Sequence, residues 1–138
     1  MLTAGQVIVR LLVSAILSGI IGIERESKHK PAGLRTNILV GIGSTLAMIT
    51  SLAFDGEPSR IAAGVLTGIG FVGAGLVIQD RHEIHGITTA ATIWVVSAVG
   101  LAAGAGFFVP AIATTLLAVM VLYFFESEKF RRSLSEKQ

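Results

Sequence analysis

The side chains best suited to chemistry lie in three polar stretches. In the first, Glu24, Arg25 and Glu26 are followed by Lys28, Lys30 and then Arg35. Opposite charges this dense can neutralise one another in a network, or simply mark helix ends. The second is Gln79–Gly86, where His82 and His85 stand at i,i+3 beside Asp80 and Glu83. That spacing suits a metal, a pH-titrating pair or an ordinary solvated loop. The third joins Asp55, Glu57 and Arg60, with Arg10 as an outlying charge that either snorkels to a membrane rim or pairs with Asp55 or Glu57. No cysteine is present, which removes disulfides and thiolate chemistry. No nucleophile and base fall together near Thr88, Thr89 or Trp94, so we expect no enzyme, no cofactor and no resident metal.

The elements that hold these residues are apolar. From Ile61 to Ile78 the chain carries no charge, yet it contains Gly64, Gly68, Gly70, Gly73 and Gly75. A helix needs roughly 17–25 apolar residues to cross a bilayer, and glycines four apart let another backbone approach closely. This stretch therefore reads as a buried membrane helix. Hydrophobic residues make up 52% and charged residues 14% of the 138, and the mean hydropathy is +0.76. That leaves too little polar surface for a soluble domain. Five apolar runs, at about 7–23, 37–54, 61–78, 88–104 and 107–125, predict an all-α bundle of five transmembrane helices over 1–125, with a charged tail at 126–138. The tail reads either as a short amphipathic helix on the anionic leaflet or as a solvated anchor.

Basic residues collect in alternate loops: Arg25, Lys28, Lys30 and Arg35 after the first run, Arg81 after the third, and Lys129, Arg131, Arg132 and Lys137 in the tail. The positive-inside rule then predicts N-out, C-in. It also accounts for the pI of 9.4 without nucleic acid. No span carries an internal Asp or Glu, which argues against a midplane Mg²⁺ site. The polar groups inside the spans are neutral: Ser14, Ser18, Asn37, Ser44, Thr45, Thr67, Thr92, Ser97, Thr114 and Thr115. They read as interhelical or back-bonded hydrogen-bond formers. Pro31 and Gly33 predict a turn, Arg35 and Thr36 open the second helix, and Thr88 is placed to cap the fourth. Gly100 and Gly104 repeat the close-packing theme, and Gly106 is placed to end that helix.

At these residues the chain resembles the MgtC/SapB family of bacterial membrane proteins. The likeness rests on GIIGIERESKHKPAGLRT, SRIAAGVLTGIGFVGAG and GITTAATIW, in order and spacing. It places the family's characteristic residues on Glu24, Arg25, Glu26, Arg35, Arg60, Gly68, Gly70, Phe71, Gly73, Gly75, Gly86, Thr88, Thr89 and Trp94. Glu57-Pro58 stands where members often carry Asp-Pro. Many members continue into a C-terminal ACT-like domain, whereas this sequence ends soon after the fifth run. The resemblance implies an inner-membrane protein tied to Mg²⁺ limitation, acid stress, intracellular survival and virulence. It has been labelled a Mg²⁺ transport protein and also an inhibitor of the F-type ATP synthase.

Two functions follow as expectations. The first is a non-enzymatic regulator whose glycine-faced helices dock on copies of itself or on another membrane protein, such as ATP synthase or a cation pump. The second is a small oligomeric ion transporter or channel, lined by Asp55, Glu57 and Arg60 at one end and by Glu24, Glu26 and Arg35 at the other.

Overall fold

The computed structural model describes residues 2–54, 57–79 and 84–124. They form five helices, α1 (Ala4–Ser27), α2 (Leu34–Ser51), α3 (Pro58–Gly75), α4 (Ile87–Ala105) and α5 (Phe108–Phe124), as an antiparallel bundle. A two-stranded hairpin, β1 (Ile78–Gln79) with β2 (Ile84–His85), joins α3 to α4 in the register Ile78↔His85 and Gln79↔Ile84. The sequence reading expected a loop there.

By length and composition, α1 and α4 are long and apolar enough to cross a membrane, and α5 is a shorter apolar helix. α4 is apolar all round, the mark of a helix surrounded by others. It packs against each of the other four helices, and its buried residues include Ile93, Val96, Val99 and Ala103. Leu17 of α1, Val99 of α4 and Ala111 of α5 form a small apolar core, with Val13, Val95 and Ala102 against it.

Local chemistry fixes the helix ends. Thr3 and Gln6 make a reciprocal capping box at the start of α1. α2 starts at Leu34, one residue before the Arg35 expected to open it and three before the apolar run at 37, where the Glu26 carboxylate accepts the Leu34 N–H at 2.9 Å and the Asn37 amide donates to the carbonyls of Ala32 and Gly33 at 2.9 and 2.8 Å. α3 likewise starts at Pro58 rather than 61, since proline's fixed φ suits a first helical position. An apolar-run reading overlooks such polar first turns. Thr88 does not cap α4. Gly86 does, at φ 90° and with no side-chain bond, which places Thr88 inside the helix. Gly106 ends α4 as expected: at φ 86° it lets Phe107 N–H reach Ala102 O at 2.8 Å and Gly106 N–H reach Ala103 O at 3.0 Å, a Schellman closure.

The expectation that 61–78 is a buried helix is corrected. Gly73 is the only buried residue of α3. The helix leans on α4 and α2 by one face and leaves the rest on the outside of the bundle.

Candidate functional site

Two regions use glycine and small polar residues in opposite ways. The first is a seam where α1, α2 and α4 meet. A Cβ on Gly22 would stand 2.8 Å from the Leu34 Cα, and one on Gly104 would stand 2.7 Å from both Thr45 O and Met48 Cβ. A Cβ on Gly100 would overlap the Gly41 carbonyl, and one on Gly41 would overlap the Ser18 hydroxyl. Backbone approach this close needs bare helix faces. Hydroxyls tie the seam together: Ser44 and Ser97 bond across α2 and α4 at 3.0 Å, and Thr45 donates to Gly100 O at 2.8 Å. Thr67, Thr92 and Thr115 instead donate to the carbonyl four residues back in their own helices.

Arg10 belongs to this seam. Its Nη1 donates to Gly104 O at 2.5 Å, supplying a donor to a carbonyl left over at the end of α4. A cation at a helix C-terminus also meets the negative end of the dipole. Sequence reasoning sent Arg10 to headgroups, or to Asp55 or Glu57. Asp55 lies outside the described residues, and the partner found is a backbone carbonyl 94 positions away, which no local pattern announces.

At the far end of the seam the charged cluster divides. Arg25 is 2% exposed and meets Glu24 through two bonds, Nε to Oε2 at 2.5 Å and Nη2 to Oε1 at 2.8 Å. Adjacent helical residues do not naturally face each other, and this pair meets by folding Glu24 over an inward-pointing guanidinium. Glu26 caps α2, while Arg35 is exposed and joined by no ion pair to Glu24 or Glu26 among the described residues. Glu26 thus ties α1 to the start of α2, Glu24 and Arg25 pair with each other within α1, and Arg35 lies exposed on the surface. Arg60, on the first turn of α3, is exposed at the other end of the bundle.

The second region is the outer face of α3. Gly64, Gly68 and Gly75 recur at helical spacing on one side, with Phe71 between them at 86% exposure. Among the described residues, a Cβ on Gly64, Gly68, Gly70 or Gly75 would meet nothing within 4 Å, whereas one on Gly73, on the opposite side, would touch Ala90 at 3.5 Å. Of the five glycines in this helix, only Gly73 packs against another of the described residues.

The remaining motif residues scatter. Thr36 is half-buried, Thr89 is buried, and Trp94 is 48% exposed. Thr88 and Thr92 line an apolar groove of about 350 Å³ between α4 and α5, with Val95, Thr114, Leu117 and Val121. Among the described residues no three His, Asp or Glu cluster as metal ligands. Asp80, His82 and Glu83 lie outside the described residues.

Comparison with known proteins places this architecture. YhiD of Escherichia coli (strain K12), named as a candidate magnesium transporter, is 43% identical over 136 residues, covering 91% of this chain and 63% of its own length. Protein MgtC of Brucella abortus (strain 2308) is 43% identical over 108 residues, covering 77% and 45% respectively. Protein MgtC of Salmonella typhimurium (strain 14028s) is 39% identical over 111 residues, covering 80% and 48%. The chain therefore spans less than two thirds of the length of these relatives. No solved structure matches it. The model of the MgtC family matches residues 11–130, and the chain belongs to that membrane-protein family.

Proposed function

We propose that this chain is a non-enzymatic regulator of the bacterial inner membrane, tied to Mg²⁺ limitation and related stress, that acts by docking the outer face of α3 on another membrane helix. The observation that carries this reading is the open space in front of Gly64, Gly68, Gly70 and Gly75. Glycine inside a helix costs about 1 kcal/mol relative to alanine. Three of these, Gly64, Gly68 and Gly75, share one side and are a net loss to the isolated chain, and a partner backbone packed against them would recover it. Phe71, standing out from the same face, supplies a knob for that partner. The partner is a second copy of this chain or another membrane protein, of which ATP synthase and cation pumps are the proposed kinds.

Replacing Gly64 and Gly68 by Leu tests the reading. Docking requires that the variant fold normally yet lose the copies or partners that co-purify with the parent chain. Unchanged co-purification would sink it.

Ion transport is the second reading, favoured by the name of the YhiD relative and by the buried polar seam. Purified chain in liposomes should then move Mg²⁺ faster than empty vesicles do, and equal flux would reject transport. For orientation we propose N-out, C-in on the basic-loop pattern. Single cysteines at Lys28 and Ala4 should label from opposite sides, with Lys28 reached from the cytoplasm.

A further inference from the structure

Three buried oxygens lie along the α1–α2 crossing without a hydrogen-bond partner among the described residues: Ser14 Oγ, Ser18 Oγ and Asn37 Oδ1. All three residues are 0% exposed. The other hydroxyls of the seam, on Ser44, Thr45 and Ser97, are bonded. Leaving a buried polar atom unpaired costs about 1–3 kcal/mol, so three in one place form a substantial local debit.

The orientation of the Asn37 amide is settled by its neighbours. Its nitrogen donates to two carbonyls, Ala32 O and Gly33 O, and a flipped amide would set oxygen against oxygen. Oδ1 is therefore an acceptor lacking a donor, while the serines are donors lacking acceptors. The packing brings them together. Ser18 and Gly22 are one turn apart on α1, as are Asn37 and Gly41 on α2. The Ser18 hydroxyl sits where a Gly41 side chain would begin, the Ser14 hydroxyl is 3.2 Å from that same point, and the Asn37 Cβ is 3.2 Å from the matching point on Gly22. Glycines thus occupy one diagonal of a four-residue box and polar groups the other.

We propose that this box is a binding site for ordered water, bridging Ser18 Oγ and Asn37 Oδ1 with Ser14 as third partner. Three hydrogen bonds are the usual complement of a buried water. A cation fits worse, because three neutral oxygens offer no counter-charge, and moving an isolated ion into such surroundings is far costlier than moving a water. The site stands whether the chain docks or transports.

Asn37 is the only asparagine in the chain, so ¹⁵N-asparagine labelling reports on it alone. Water-edited solid-state NMR of the full chain in bilayers should show water magnetisation reaching the Asn37 side-chain amide as fast as it reaches interfacial amides. Ser14→Ala/Ser18→Ala should slow that transfer several-fold while the backbone spectrum stays folded. Ser18→Ala alone provides the same readout if the double variant does not fold. Absence of transfer in the parent chain, or transfer unchanged by the serine substitutions, would overturn the site. An Asn37 signal that moves when Na⁺ or Mg²⁺ replaces choline would overturn water in favour of a bound cation.

Discussion

The α1–α2–α4 seam and the outer face of α3 carry the same kind of residue under opposite constraints. In the seam, Gly22, Gly41, Gly100 and Gly104 are each blocked by backbone or side-chain atoms, whereas Gly64, Gly68, Gly70 and Gly75 on α3 have open space before them. Composition cannot separate the two sets, since both are glycines about a turn apart within apolar helices. Only the packing partner separates them: the seam glycines pack against neighbouring helices, and these four α3 glycines meet nothing among the described residues.

The comparison breaks most sharply at Gly100. Gly100→Val would drive a side chain into the Gly41 carbonyl, and backbone has little room to yield. A loss of about 3 kcal/mol or more is expected, read as a lowered Tm or failure to accumulate in detergent. Wild-type stability would mean that α2 and α4 are not in this contact. Next comes the corner of the seam, where Glu24→Gln weakens the bidentate partner of a guanidinium that is 2% exposed. We expect a cost of about 2 kcal/mol, with much of it recovered in Glu24→Gln/Arg25→Met, where no buried charge remains. Thermal melts of the single and double variants check this. Arg10→Met removes the donor to Gly104 O and should cost about 1.5 kcal/mol, again as a fall in Tm. The smallest stability effect belongs to α3, where Gly64→Ala and Gly68→Ala should leave stability unchanged or raise it by up to about 1 kcal/mol each. A large destabilisation there would show that the face is packed within the chain.

Much of the fold was legible in the sequence because hydrocarbon demands long apolar runs. The five runs mark the five helices, and the neutral residues Ser44, Thr45 and Ser97 formed the interhelical bonds expected of them. The apolar runs alone start late where polar residues or proline lead in: α2 begins at Leu34, one residue before the expected Arg35, with Glu26 and Asn37 bonding its first turn, and Pro58 begins α3. The candidate site was legible as residue types but not as contacts. Glu24, Arg25, Glu26 and Arg35 form one cluster in sequence, yet in the fold Glu24 pairs with Arg25, Glu26 caps α2 and Arg35 is left exposed. Arg10 found a carbonyl at the end of α4, and Gly41, which the sequence reading passed over, became the point where three helices meet. Such partners depend on how helices distant in sequence come together, and spacing along one helix does not encode that.

The most direct test of the account compares tagged parent chain with Gly64→Leu/Gly68→Leu in native membranes, measuring together the Tm and what co-purifies. The account predicts a Tm within about 1 kcal/mol equivalent of the parent and loss of the associated copies or partner proteins. A variant that keeps its associates, or that unfolds, would contradict the claim that α3 turns its bare face outward to dock.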